Sequence, residues 1–309
     1  MEPGPGYLDD TPAQPHAHHR WPRLRLAART LGSLLLGGMA ILGSIFAFRQ
    51  GLLPLVDLLF QPSPEALSAI RRIGILLFAV AGYWGYVCWH EKRRTSELRV
   101  QPLRLLLGIA GGALLVGLPM LALFAIGAYE PVLLRGASSA LWGVAALIGI
   151  AATLEELVHR ALLLRVLEPA IGTGAALAVQ ALVFAVPHLE NLSNAASGDI
   201  VRLLVSVSVL GLLWGGLFVL TRNLWVVAAH HAAWNFSILL SGLPLSGIED
   251  WRALAPMESR MVGSDWITGG MFGPESSLLV IATTSIATVW LLRVAKQRGA
   301  FVASTAQAP

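Results

Sequence analysis

The sequence has little charge, one cysteine and few lysines. Of its 309 residues only 13% are charged, and the lysines are Lys92 and Lys296 alone. The single cysteine, Cys88, excludes an intramolecular disulfide and any cysteine-rich metal site. The chain also lacks a glycine-rich phosphate loop and the internal repeat from which many transporters are built. These absences weigh against a disulfide-stabilised domain and against a proton-coupled transporter.

Apolar residues dominate what is there. The chain is 55% hydrophobic, and its mean hydropathy is +0.67. This composition is too apolar for a soluble domain and predicts a polytopic membrane protein whose surroundings are the lipid bilayer. The net charge of +4 does not indicate a nucleic-acid partner, because the basic residues cluster in short loops between apolar segments, as membrane orientation requires.

Eight apolar segments predict the fold, an all-α polytopic membrane bundle of about eight transmembrane helices. The segments are residues 31–48, 73–89, 105–128, 137–154, 171–187, 201–220, 224–240 and 277–292. The predicted units are a disordered polar tail (1–30), N-terminal helices (31–136), a core (137–241), an extracytoplasmic loop (242–276), and a last helix with its tail (277–309). With the N-terminus inside, 15 of the 22 Lys and Arg residues fall on the cytosolic side, so we expect both termini there.

Glycine pairs at four-residue spacing occur in two of these segments. They are Gly108 with Gly112, and Gly211 with Gly215. Such spacing lets membrane helices approach closely. We therefore predict tight helix packing at both pairs and no chemical role.

Ionisable residues end the apolar segment 137–154. Glu155 and Glu156 are adjacent, and Arg160 follows. On a helix Glu156 and Arg160 share one face with the acid first, the favourable order for an ion pair. Glu155 points about 100° away from that pair and is predicted to keep a free carboxylate. One carboxylate is thus held, and its neighbour is available for chemistry.

Two further apolar segments carry histidines and an amide. His188 ends the fifth segment, and His230, His231 and Asn235 lie in the seventh. Taken singly, each histidine is best interpreted as hydrogen-bonded within the bundle. Together, a carboxylate, two histidines and an amide are the groups needed to activate a water and to stabilise an oxyanion. His231 and Asn235 are four residues apart, so both project from one face of a helix.

Three motifs on successive segments carry a family resemblance. They are Glu-Glu-x-x-x-Arg at 155–160, Phe-x-x-x-His at 184–188 and His-x-x-x-Asn at 231–235. In this order they resemble the CAAX protease and bacteriocin-processing family of intramembrane proteases, also called the Abi family, over roughly residues 140–240. The resemblance implies an eight-helix fold with a site open to the cytosol. It also implies endopeptidase action on a membrane-anchored protein or peptide.

The resemblance further implies roles for the motif residues. Glu155 and His188 would activate the water, His231 and Asn235 would hold the oxyanion, and Glu156 with Arg160 would be the supporting pair. A metal stays open, because Glu155, His188 and His231 could bind zinc with a water as fourth ligand. These groups come from three helices without a His-Glu-x-x-His motif, and asparagine suits an oxyanion better. We therefore expect no cofactor and metal-independent catalysis.

The sequence also allows an alternative function and predicts a cellular location. The alternative is a non-catalytic membrane immunity or scaffolding protein of the same fold. The low lysine content and the basic loops favour a multi-pass protein of a bacterial inner membrane with a cytosolic N-terminus.

The depth of His188 conflicts with this scheme. At about 1.5 Å per residue, Glu155 and His231 fall toward the cytosolic side, whereas His188 falls near the outer side. The three could not then meet. We therefore expect the helix that starts at Ala137 to run past Arg165, so that the next helix begins outside the bilayer and His188 lies deeper.

Overall fold

Long apolar helices build the fold. The computed structural model describes residues 20–191, 197–248 and 251–305. The helices are α1 (Arg20–Ala47), α2 (Leu53–Phe60), α3 (Pro64–Trp89), α4 (Pro102–Ala125), α5 (Ala140–Glu156), α6 (Arg165–Ile171), α7 (Thr173–Ala185), α8 (Ser197–Thr221), α9 (Leu224–Leu240), α10 (Asp265–Thr268) and α11 (Leu278–Gln297). Within the described ranges, seven helical stretches are long and apolar enough to cross a membrane, and α9, with 17 residues, is a shorter apolar helix. The predicted all-α polytopic bundle is confirmed.

The N-terminal helix corrects the predicted tail and the first predicted segment. Helix α1 begins at Arg20, and a π-helical turn at Phe48–Leu52 joins it to α2, so one stretch of 37 residues, Leu24–Phe60, is apolar enough to span. Residues 20–30 are therefore helical and not disordered, while residues 1–19 of the predicted tail lie outside the described residues. The apolar pattern of 31–48 could not show this, because a helix extends into polar sequence wherever its backbone stays hydrogen-bonded.

The helix that carries the two glutamates is unusually long. Helix α5 continues through a π-helical turn, Leu157–Leu164, into α6, and the whole stretch runs from Ala140 to Ile171. The predicted continuation past Arg165 is therefore present. The π-helical turn was not predicted from the sequence, and such turns occur frequently at functional sites.

At one end of the bundle, polar contacts hold four segments of the chain together. Both terminal nitrogens of Arg165 lie 2.8 Å from the Glu91 carboxylate. The Trp225 indole donates to the Leu98 carbonyl over 2.8 Å, and Arg222 donates to the Ala300 carbonyl over 3.0 Å. We call this the basic end. It gathers the connection after α3, the start of α6, the α8–α9 turn and the segment after α11.

The opposite end carries a small sheet. Strands β1 (Tyr129–Leu134) and β2 (Met257–Met261) pair antiparallel, with an irregularity between Pro131 and Leu133. The predicted extracytoplasmic loop 242–276 supplies β2 and α10, so it is folded over its described residues. Its acidic Glu249 and Asp250 lie outside the described residues.

Both predicted glycine pairs lie at close helix contacts. A side chain at Gly112 would overlap the backbone carbonyl oxygen of His230, and one at Gly108 would lie 2.7 Å from the Val226 oxygen. At Gly211 it would lie 2.8 Å from the Ala181 Cα. Helix α4 thus packs on α9, and α8 packs on α7, at backbone distance. The predicted packing role is confirmed.

Candidate active site

The supporting ion pair lies at the centre of the bundle. Arg160 Nε is 3.0 Å from Glu156 Oε2, and both side chains are 0% exposed. The separation is that of an ion pair, although neither atom makes a hydrogen bond. The Arg160 guanidinium also lies over the Phe184 ring, 4.3 Å from its centre. The pair predicted from the four-residue spacing is therefore present.

His231 is fixed between the two glutamates. Its Nδ1 lies 2.9 Å from Glu156 Oε1, and since an ionised carboxylate only accepts, Nδ1–H donates. Its Nε2 lies 4.0 Å from Glu155 Oε2. The imidazole stacks on Trp214 with ring centres 3.7 Å apart. Sequence reasoning assigned Glu156 to Arg160 alone and missed this second contact.

Glu155 keeps its carboxylate free of hydrogen bonds. Its side chain is 39% exposed, whereas that of Glu156 is wholly buried. Among the described residues, the basic group in contact with it is His231, whose Nε2 lies 4.0 Å from Oε2. The predicted contrast between a held and an available carboxylate is therefore present in the structure.

His188 is brought to the same aromatic ring as His231. The Phe184 ring centre is 4.9 Å from that of His188 and 6.2 Å from that of His231. His188 Nδ1 lies 2.9 Å from the Phe184 carbonyl oxygen, which can only accept, so Nδ1–H donates and Nε2 remains an acceptor. The expected depth conflict does not arise within the bundle, because His188, in the 3₁₀ segment Val186–Asn191, lies beside the ring that also contacts His231.

Asn235 has an unused amide group. Its Oδ1 is buried and has no hydrogen-bond partner in the described part of the chain. It lies one turn beyond His231 on α9. Because buried polar groups in proteins are generally paired, an unpaired amide beside His231 is available to a ligand.

Three nearby groups were not predicted as part of the site. His159 donates from Nδ1 to the Glu155 carbonyl over 2.9 Å and packs on the Phe184 ring edge to face. The Trp214 indole, which stacks on His231, donates to His230 Nδ1 over 3.1 Å. The four-residue spacing of Glu155 and His159 was a usable signal, but nothing local to Trp214 indicates its contact with α9.

The predicted extracytoplasmic loop contacts the site from the end of the bundle that carries the small sheet. Phe272 lies 6.5 Å from the His188 ring, and Glu275 accepts hydrogen bonds from the Trp234 indole (3.1 Å) and the Ser246 hydroxyl (2.7 Å). Glu275 is only 3% exposed. Burial raises the pKa of Glu275, although the bonds from Ser246 and Trp234 oppose the rise. A site residue from this loop could not be inferred from the three motifs.

The same residues do not form a metal-binding cluster. Over the described ranges, no group of three or more His, Cys, Asp or Glu side chains could hold a metal ion. Glu155, His188 and His231, the candidate ligands, therefore do not fit a shared zinc as placed. We assign no chemical step to a metal.

The comparison with known families identifies the central part of the chain. Residues 136–237 match the family model described as Rce1-like, type II CAAX prenyl endopeptidase Rce1-like. The match covers 102 of the 309 residues and includes all three motifs. The chain has no significant match among curated proteins. The match and the apolar helices support a multi-pass membrane protein of the intramembrane protease class. Residues 136–237 are thus similar to the CAAX protease and bacteriocin-processing family, the family that the three motifs predict.

Proposed function

We propose that the protein hydrolyses a peptide bond of a membrane-anchored protein or peptide, with Glu155 as the base. The observation that carries this is the contrast between two adjacent carboxylates: Glu156 is buried against Arg160 and His231, whereas Glu155 is part-exposed and free of hydrogen bonds. A free carboxylate beside oriented imidazoles is what water activation requires. The family model that matches residues 136–237 supports this class of reaction.

The first step is the activation of a water between Glu155 and His188. The Glu155 carboxylate takes a proton from the water while Nε2 of His188, the nitrogen left free by the Phe184 carbonyl, accepts the second hydrogen bond. The oxygen attacks the peptide carbonyl carbon and forms a tetrahedral oxyanion. When the C–N bond breaks, the leaving amine takes the proton back from Glu155.

The oxyanion faces Asn235 and His231. The buried Oδ1 of Asn235 has no hydrogen-bond partner among the described residues, and the donor to the oxyanion is the Nδ2 group of the same amide. Nδ1–H of His231 donates a hydrogen bond to Glu156, so Nε2 can donate to the oxyanion only when the ring carries a second proton. Trp214 fixes the plane of the imidazole.

The test is cleavage of a fluorogenic membrane-anchored peptide by purified variants in lipid nanodiscs. We expect Glu155→Gln to be almost inactive, because an amide cannot take the proton. Asn235→Ala should retain weak activity, since loss of one oxyanion donor costs roughly a hundredfold to a thousandfold in rate. Chelators should change little.

Two results would overturn this proposal. Full inhibition by a chelator, reversed by zinc, would replace it with a metal mechanism on Glu155, His188 and His231. Full activity of Glu155→Gln would end the role of Glu155. A search for new N-termini in membranes that contain the wild type or Glu155→Ala supplies candidate peptides. If the two membranes show the same N-termini, the result would argue against proteolysis and favour the scaffolding or immunity function.

A further inference from the structure

A groove of about 580 Å³ is lined by His230, to which the Trp214 indole donates a hydrogen bond. Helices α4, α8, α9 and α11 form its walls, which are mostly leucine, glycine and alanine. Leu107 and Trp290 line it and are well exposed, so the groove opens to the outer surface of the bundle. We call it the α4–α11 groove. It is separate from the space around Glu155 and His188.

The groove is positively charged at the basic end. Arg104 in the first turn of α4 and Arg298 just after α11 both line it. Both are exposed, and neither side chain has an ion pair or hydrogen bond among the described residues. Two unpaired guanidinium groups at the mouth of an apolar groove are complementary to an anionic headgroup on an apolar chain.

A third polar group, His230, lines the same groove. The Trp214 indole can only donate, so Nδ1 of His230 accepts and the ring proton of neutral His230 is on Nε2. Nε2 has no partner in the described structure, although His230 is only 7% exposed and lines the groove. Gly111 leaves room beside it, since a side chain there would begin 3.7 Å from Nε2. This N–H has no protein partner, and an acceptor on an occupant of the groove could bind it.

We propose that the α4–α11 groove binds one phospholipid with an anionic headgroup. Its phosphate lies between Arg104 and Arg298, one acyl chain follows the apolar wall, and an ester oxygen accepts from His230. Arg104 and Gly111 are seven residues apart, about 10 Å along the helix. That separation suits a phosphate at one end and the glycerol ester at the other. The bound lipid also supports Trp214, which donates to His230 and stacks on His231.

The test measures lipid binding to the purified full-length protein, independent of any protease activity. Native mass spectrometry and thermal unfolding follow titrations with phosphatidylglycerol and with zwitterionic phosphatidylcholine. We expect tighter binding of phosphatidylglycerol and a larger upward shift of the melting temperature. The double variant Arg104→Gln/Arg298→Gln should bind phosphatidylglycerol about thirtyfold more weakly, as two basic contacts are lost.

A charge-matched control separates the groove from general surface charge. Arg94→Gln/Arg293→Gln removes the same charge from two exposed residues that do not line the groove, and we expect its binding to change less than about threefold. Equal binding of the two lipids by the wild type, or an equal loss in both double variants, would overturn the proposal.

Filling the groove tests whether the acyl chain enters it. Gly111→Leu places a side chain in the groove, and Ala287→Leu does so from α11. We expect either variant, once it elutes as a folded protein, to lose most of its phosphatidylglycerol binding. Two variants on different helices keep the test decisive if one does not fold. Wild-type binding by a folded filled variant would show that the lipid contacts the surface only, and the proposal would fail.

Discussion

Arg160 constrains the site through three kinds of contact. Its guanidinium is paired with Glu156, lies over the Phe184 ring, and has its NH2 group 3.4 Å from the Gly211 carbonyl oxygen. A charge that is wholly buried is tolerated only when its surroundings compensate it. Here the compensation comes from helices α5, α7 and α8 together, so the ion pair and the packing of the bundle depend on each other.

Removal of Arg160 should therefore reduce stability as well as activity. In Arg160→Ala the Glu156 carboxylate loses its buried counterion, which costs roughly 3 to 5 kcal/mol. The control is Arg260→Ala, whose pair with Glu130 is 67% and 41% exposed and is expected to matter far less. Denaturant unfolding in one detergent compares the two. If Arg160→Ala unfolds like the wild type but is inactive, Arg160 acts in catalysis itself.

At the scale of elements, the contact between α4 and α9 places the two histidines. Gly112 lies against the backbone of His230, and Gly108 against that of Val226. His231 is the next residue after His230, so a shift of α9 would move the His231 imidazole relative to Glu156. The glycine pair thus affects the site although it contributes no chemistry.

We expect Gly112→Ala to destabilise the protein and to lower its activity. The added methyl group overlaps the His230 carbonyl, and such overpacking typically costs about 1 to 3 kcal/mol. Gly117→Ala in the same helix is the matched control, since nothing lies within 4 Å of the added atom. It should be neutral or slightly stabilising. The measurement is the melting temperature of both variants, and equal values would show that α4 and α9 separate at no cost.

The π-helical turn after Glu156 is also held by other elements. The Ala161 carbonyl accepts from the Tyr83 hydroxyl over 3.0 Å and from Arg165 Nε over 2.7 Å. Tyr83 belongs to α3, which lies outside the family match. The helix that carries the glutamates is therefore fixed near the basic end by a segment in which the sequence predicted an apolar helix and no contact with the site.

At the scale of the whole molecule, the basic end and the sheet end differ in charge. Loop 90–101, the α8–α9 turn and the segment after α11 meet at the basic end, whereas β1, β2 and Ser246 lie at the other. The bias of basic residues predicts that the basic end faces the cytosol. The structure supports the grouping of these segments, and the side of the membrane that they face remains a prediction.

Labelling of single cysteines from each side of sealed vesicles tests that orientation. In a Cys88→Ala background, Arg94→Cys at the basic end should react from the cytosolic side, and Arg260→Cys on β2 from the opposite side. An unlabelled cysteine-free protein is the control for background. Reaction of both positions from one side, or a reversed pattern, would contradict the orientation.

The sequence by itself determined the apolar helices, the motif order and the roles open to each ionisable residue. Hydropathy locates a membrane helix because some 20 apolar residues are needed to cross the bilayer. The four-residue spacing gave the Glu156–Arg160 pair and the freedom of Glu155, because both depend only on the geometry of one helix. For the same reason the glycine pairs were correctly interpreted as packing positions.

Only the tertiary structure decided how these residues meet. His231 reaches Glu156 across 75 residues of sequence, and the Trp214–His231 stack and the Trp234–Glu275 bond also join separate elements. No local pattern encodes such contacts, since they follow from the angles at which whole helices pack. The depth of His188 depended on where α5 ends and on the 3₁₀ segment after α7. Hydropathy counts residues along a chain, whereas the site is formed where separate helices pack against one another.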